Sequence, residues 1–382
     1  MKMRKTLPLE GIRVVELSHM VMGPACGLVL ADLGAEVIKV EPEGKGDPTR
    51  HLTSTGAGFF AAFNRNKKSV TLDLATPEGL TLARRLIRTA DVFVENFRPG
   101  ALEAKGLGYA ALSAADPRLV YCSLKGFLAG PYEQRTALDE VVQMMSGLAY
   151  MTGPVGQPLR AGAPVNDMMG GLFGAVAILA ALRERDRNGK GQHVQSGLFE
   201  NAAWLVSTHM MQHAVSGKAP EPMSAGKRAW GVYDVFRSSD GVAVFVGVVT
   251  ERQWELFTAA LDAPELRDPA FASNTLRAKA RDRLIPLVSH RLAERPIATI
   301  EAFCEKAGLP FARIQTPSDL FADAHLNAGG MIDLVLPDGK PARIPALPVQ
   351  FGHERPGLRL GLPTPGQHND EILGPLGDAQ KH

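Results

Sequence analysis

The stretch Arg160-Ala-Gly-Ala-Pro-Val-Asn-Asp167-Met-Met-Gly-Gly171 places one carboxylate at the head of an apolar, glycine-rich run. Two kinds of chemistry suit an acid there. As a helix N-cap, Asp167 would accept the first free backbone N–H groups of Met168 to Leu182, an uncharged segment of helical character. As a nucleophile, it would sit at the positive end of a helix dipole, which keeps a carboxylate ionised and able to attack a carbonyl. Taken alone, the segment reads first as a cap.

Further candidates lie at the ends of strand-like runs. Asn64-Arg65-Asn66-Lys67-Lys68-Ser69 collects cations and amide donors suited to a phosphate, and reads equally well as a solvated turn. In Asn96-Phe97-Arg98-Pro99-Gly100, an aromatic ring beside a guanidinium could hold an adenine and a phosphate. The loop Ser18-His19-Met-Val21-Met-Gly23 lies where a dinucleotide-binding fold carries G-x-G-x-x-G, and Glu41 stands where a ribose-binding acid would. Gly23 is all that remains of that fingerprint, and Met20, Val21 and Met22 would crowd a pyrophosphate. A nicotinamide-dependent oxidoreductase is therefore a secondary reading.

The elements that must position these groups alternate strand and helix. Ile12–Leu17, Val37–Val40, Asp91–Glu95 and Leu119–Ser123 read as strands. Pro24–Leu33 and the segment that Thr76-Pro-Glu-Gly opens, running to about Ala90, read as helices. This predicts an α/β, doubly wound, Rossmann-like parallel sheet that binds ligands at the carboxyl ends of its strands. Ala214 to Lys227 reads as a linker. A hairpin follows at Ser238-Ser-Asp240-Gly241, with helices near 251–262, 279–294 and 297–307. A second turn at Pro337-Asp-Gly-Lys340 joins strands near 331–336 and 341–345, and a short helix begins around Gly366–Leu373. The expected organisation is a large domain over residues 1–220, a small α+β domain over 221–328, and a return to the large domain over 329–382.

Composition narrows the function classes. A formal charge of +2 over 382 residues gives no reason to expect nucleic acid or an anionic membrane as a partner. Cys26, Cys122 and Cys304 are too scattered for a disulfide framework or a metal site, and suit buried thiols in a reducing compartment. The basic start, Met1 to Thr6, has no apolar signal core behind it. The expected location is the cytoplasm.

Many of these segments, in this order, resemble the class III (family III) CoA-transferases, and the resemblance covers nearly the whole chain. It is carried by Leu9–Leu17, Gly23-Pro24, Asp32–Glu41, Gly46-Asp47, Asn64–Ser69, Asp91–Gly100, Gly106–Tyr109, Pro154–Asp167, Gly189–Gln192 and Gly366–Leu373. The resemblance implies an interlocked homodimer with acyl-CoA and a carboxylic acid as substrates, and no permanently bound cofactor or metal. Asp167 falls on the family's nucleophile, which would pass through an aspartyl mixed anhydride and a β-aspartyl-CoA thioester. The matching CoA-contact positions are His19 and Val21, Leu72 to Ala75, Asn96, Phe97 and Arg98, and Ala137 to Glu140, with Asp139 between. Arg65 and Lys68 join them as candidate phosphate contacts. Gly170 and Gly171 are candidate oxyanion donors.

Departures from the pattern shape the expected substrate. Val21 and Ala137 replace a polar and a basic side chain of formyl-transferring members, and Pro42 replaces one of their arginines. Their tetraglycine loop has no counterpart near 225–250, so formate and oxalate are not expected. Small dicarboxylic acids are, with acceptor contacts from Trp230–Tyr233 and from the loop at Arg135, since a guanidinium pairs well with a distal carboxylate. Racemases of the same fold carry a histidine where this chain has Leu138, in Arg135-Thr-Ala-Leu138-Asp139, and leucine cannot shuttle an α-proton. A 2-methylacyl-CoA racemase and a non-catalytic acyl-CoA-binding protein stand as alternatives.

Overall fold

The structure, a computed structural model, describes residues 7–225 and 229–378. The basic start and the last two residues of the expected linker, Gly226 and Lys227, lie outside them. The chain divides into two compact units. One takes the residues up to Ser224 and those from His325 onward, the other Ala225 to Ala324.

The first unit opens with strand β1 (Arg13–Leu17), helix α1 (Met22–Asp32) and strand β2 (Glu36–Glu41). Then come α2 (Phe59–Phe63), β3 (Lys67–Thr71), α3 (Pro77–Ile87), β4 (Val92–Glu95), α4 (Tyr109–Ala115) and β5 (Val120–Lys125). Helices α5 (Asp139–Met145), α6 (Leu148–Thr152) and α7 (Val165–Asn188) precede β6 (His193–Gly197), α8 (Leu198–Leu205) and α9 (Ser207–Ser216). All six strands pair in parallel in the order β3-β2-β1-β4-β5-β6. Their connections change direction between β1 and β4, the switch point where doubly wound sheets bind ligands. Val14, Val15, Val92, Phe93 and Val94 are fully buried, as strands covered on both faces require. Thr76 caps α3 through Gly79 N, with Pro77 at the first helical position.

The expected linker begins later than its composition suggested. Ala214 to Ser216 complete the last turn of α9, and Gly217 ends it at φ +69°. Small polar residues there remain compatible with a helix because α9 needs no buried face at that end.

In the second unit, β7 (Val232–Arg237) and β8 (Ala243–Val248) form the hairpin, with Gly241 at φ +79° in its turn. Helix α10 (Glu251–Leu261) starts at a capping box of Thr250 and Gln253. Helices α11 (Asn274–Lys279), α12 (Arg281–Ala293) and α13 (Ile297–Ala307) lead to β9 (Phe311–Arg313), which joins β8. Phe257, Phe271, Leu284 and Ile300 are among the residues of this unit's own core. After α14 (Ala324–Asn327), β10 (Met331–Val335) and β11 (Pro341–Pro345) pair antiparallel. Helix α15 (Asn369–Asp378) then returns to α3, with Ile372, Leu373 and Leu376 on the core beneath the sheet.

Helix α7 is long and apolar enough to cross a membrane, but its small residues face α1. A methyl on Gly171 would fall 2.6 Å from the Met22 carbonyl oxygen and 2.9 Å from Cys26 N. One on Gly174 would meet Leu124 Cδ2 at 2.6 Å. The helices touch through their backbones, and this fixes the first turns of α7 beside the first turn of α1, at the carboxyl edge of the sheet. In an open helix Gly→Ala gains about 1 kcal/mol. Here Gly171→Ala is expected to lose about 1–3 kcal/mol through overpacking, a reversal of sign that urea denaturation will show.

Candidate active site

The first turn of α7 carries Asp167, but not as a cap. The helix begins at Val165 with Pro164 in the cap position, so Asp167 is its third residue and makes no cap bond. The cap comes from another helix. Asp139, at the start of α5, turns Oδ2 to the backbone N–H groups of Asn166 at 2.8 Å and Asp167 at 3.0 Å. Val165 N donates to Ala163 O and Met168 N to Pro164 O, so each N–H of the first turn is used. The Gln143 side-chain amide donates to Asp139 Oδ1, and Gln143 Oε1 accepts from Ala161 N at 2.8 Å.

This arrangement reverses the expected electrostatics of Asp167. Burial first, then the charges of Asp139 and Glu140, push its carboxyl up to about 7. The helix dipole, already met by Asp139, does not hold it ionised. Gly170 and Gly171 are not oxyanion donors either. They lie beyond the four free N–H groups, and their missing side chains make room for Met22, Asn201 and Cys26.

The switch point lies beside this turn. His19 N donates to Asn96 Oδ1 at 3.1 Å and Asn96 Nδ2 to His19 O at 2.8 Å, which ties the β1–α1 loop to the exit of β4. Met20 between them holds φ +64°, a left-handed conformation uncommon outside glycine. The His19 ring packs 5.4 Å from Phe97, and burial lowers its pKa. Phe97 is anchored by its N–H to Glu95 Oε2 and by Lys125 Nζ to its carbonyl. Arg98 is exposed at the same edge. Gly23 is required here, since a methyl on it would lie 2.3 Å from Ser18 Cβ.

The other expected contacts lie in varied surroundings. The Val21 side chain is buried with Ala25, Leu28 and Phe63, and Leu72 is buried in the core on the α3 side of the sheet. Ala75 is exposed, its N–H held by Asp73 Oδ1. Ala137 is half-buried against Gly126, and Glu140 is exposed. Arg135 lies 4.9 Å over the Tyr132 ring. Trp230 and Tyr233 pack together in the second unit, with centroids 5.0 Å apart.

The Asn64–Ser69 cluster is not a phosphate cradle in this chain. Arg65, 2 % exposed, pairs with Asp32 at 2.5 Å, and Lys68 pairs with Glu36 at 2.8 Å and Glu371 at 2.5 Å. Lys67 is sealed against Glu16 at 2.7 Å, and Lys39 joins Asp47 at 2.8 Å. Glu41 is likewise occupied by the protein's own donors. It accepts from Arg50 Nη2 at 2.6 Å, from Ser69 Oγ at 2.7 Å and from Asp47 N at 2.8 Å. Burial alone would raise the Glu41 carboxyl, and these donors outweigh it and hold it below its ordinary value. A cation under a sheet edge needs an acid more than a solvated one does, and here each has one.

In the sequence alone Asp139 reads only as a ligand contact, and Gln143 carries no expected role. The signal was there in the Asp139–Gln143 spacing of four, which puts an amide and a carboxylate on one helix face.

The family profile for CoA-transferase family III matches residues 9–369. The chain belongs to CoA-transferase family III. An acyl-CoA transferase of Fusarium pseudograminearum is 38% identical, with 97% of this chain and 85% of that protein covered. The succinate–glutarate CoA-transferase of Agrobacterium fabrum is 35% identical, over 97% of this chain and 96% of its own length. Among solved structures, a CaiB/BaiF family protein from Brucella suis superposes with a TM-score of 0.87 at 35% identity, covering 97% of this chain and 100% of that one. Activity follows family membership: this family III CoA-transferase moves CoA from an acyl-CoA to a carboxylic acid.

A carboxyl raised from 3.8 to about 7 binds a proton in the folded chain that the unfolded chain releases. Stability attached to this group therefore falls as pH rises between those values, by at most about 4 kcal/mol in full. Asp167→Asn removes that cost. Its melting temperature is expected to match the parent at pH 4 and exceed it by several degrees at pH 8. An offset independent of pH would refute the desolvated carboxyl.

Proposed function

We propose that this family III CoA-transferase exchanges CoA between small dicarboxylic acids through covalent catalysis at Asp167. The observation that carries the reading is a carboxyl raised to about 7 on the first turn of α7, beside the switch point of a doubly wound sheet. Near neutral pH a large fraction is ionised, and the carboxylate is more basic and more nucleophilic than an ordinary aspartate.

The Asp167 carboxylate attacks the donor thioester carbonyl, the C–S bond breaks, and a mixed anhydride and CoA thiolate result. The thiolate attacks the Asp167 carbonyl, the anhydride C–O bond breaks, and the donor leaves as a carboxylate from a β-aspartyl-CoA thioester. An acceptor carboxylate attacks that thioester and expels the thiolate. The thiolate then takes the acceptor acyl group and frees Asp167. No proton is gained or lost, so the protein's part is to align the groups and to keep water from the anhydride.

CoA, as substrate and not as resident cofactor, is assigned to the carboxyl edge. His19, Asn96 and Phe97 form a ready-made platform there, with exposed Arg98 beside it for a phosphate. Glutarate and succinate are favoured as acids by the likeness to the Agrobacterium fabrum enzyme. The homodimer is supported by an apolar face on the first unit. Met168, Leu172 and Val176 recur every fourth residue along α7, and Trp204, Met210 and Met211 extend the exposed surface on α8 and α9. A reducing, cytoplasmic setting suits Cys26, Cys122 and Cys304, all buried and unpaired.

The test is peptide mass spectrometry after incubation with succinyl-CoA and quenching with hydroxylamine. A donor-dependent hydroxamate is expected on the peptide containing Asp167, and an unmodified peptide across a panel of acyl-CoA donors would refute the covalent role. Asp167→Asn is expected to lower turnover at least about 1,000-fold. In the parent enzyme, kcat/KM for the donor is expected to fall tenfold per pH unit below about 7, as the carboxylate takes up its proton. Light scattering is expected to give twice the 41.0 kDa chain mass.

A further inference from the structure

Resting on the dicarboxylate reading above, we infer that Arg160 selects the acceptor by receiving the carboxylate at its far end. The backbone at this residue is tied to the site by the same acid that caps α7. Ala161 N donates to Gln143, Gln143 donates to Asp139, and Asp139 holds the N–H groups of Asn166 and Asp167. Arg160 is thus anchored through its neighbour, by a chain of hydrogen bonds, to the turn that carries the nucleophile.

Its side chain is held far more loosely than its backbone. Arg160 Nη1 lies 3.5 Å from Glu140 Oε1, with the two side chains 39% and 51% exposed. Charge-assisted bonds are ordinarily 2.7–2.9 Å. Elsewhere in this unit, Arg65, Arg50 and Arg185 meet their acids at 2.5, 2.6 and 2.9 Å, each with 8% or less of its side chain exposed. Those three are committed. Arg160 keeps most of its donors and some of its solvent contact.

The charge balance supplies the reason for a cation. Asp139 and Glu140 both raise the Asp167 carboxyl, so the turn is already crowded with negative charge. An acceptor with two carboxylates brings a further negative charge that does not react. Arg160 pairs with one of the acids that Asp167 feels, and it can exchange that long contact for a bidentate one with the distal carboxylate. Glu140 then returns to water, where an exposed carboxylate costs little. A monocarboxylic acid offers nothing for this exchange.

The discriminating measurement is acceptor selectivity, the ratio of kcat/KM for glutarate to that for valerate, which carries a methyl group in place of the second carboxylate. It is taken with succinyl-CoA as donor in parent, Arg160→Gln and Arg160→Lys enzymes. For Arg160→Gln the ratio is expected to fall about 10- to 100-fold. The loss is expected in the glutarate KM, with partial recovery in Arg160→Lys. The donor half-reaction, read as a burst of released succinate at saturating succinyl-CoA, is expected to keep its amplitude and so reports a folded, competent site. Equal losses for glutarate and valerate, an unchanged ratio, or a lost burst would overturn the assignment of Arg160 alone. A parent enzyme that transfers CoA to no dicarboxylate would overturn it together with the reading on which it rests.

Discussion

One hydrogen-bonded carboxylate organises this site. Asp139 reaches from the head of α5 to the head of α7 and takes two backbone N–H groups that the helix cannot satisfy itself. The same oxygen atoms place a negative charge against Asp167. Capping and pKa tuning are usually the work of different residues. Here they share one contact, so the hydrogen bonds that hold the helix also add to what burial does to the carboxyl of its third residue.

Beneath the loops, the sheet edge rests on buried ion pairs. Glu16, Lys39 and Lys67 have no exposed side-chain surface, and Gly27 passes so close that a methyl there would sit 1.7 Å from Glu16 Oε2. Such pairs contribute little net stability compared with an apolar core, but removing one member leaves a stranded charge and costs about 3–5 kcal/mol. Their effect is to fix geometry. Lys39 Nζ also binds Ser18 O, which sets the start of the loop carrying His19.

The fold was largely legible because its signals are local. Strand runs, the Thr76-Pro77 cap and the turns at Asp240-Gly241 and Pro337–Lys340 act within a few residues, and each element formed near its expected bounds. The charges were not legible. Asn64–Ser69 looks the same in sequence whether its cations face a phosphate or an acid, and their acids at Glu16, Asp32 and Glu36 are at least thirty residues away along the chain. Asp167 stands out in the sequence for a reason that the structure amends. Its position on α7 is close to what the sequence suggests, but burial, with the charges of Asp139 and Glu140 behind it, outweighs the helix dipole there.

The unfavourable charge at Asp167 has a thermodynamic use under the proposed chemistry. An ester-like adduct on that carboxyl carries no charge to desolvate and no repulsion from Asp139 or Glu140. Acylation therefore relieves what burial imposed on the resting site, and the adduct moves closer in free energy to the thioester that supplied it. An exchange between two thioesters of nearly equal energy runs best when no intermediate is a deep well or a high ledge. A strained resting carboxylate flattens that profile from the substrate side, and the enzyme is then equally ready to run in either direction.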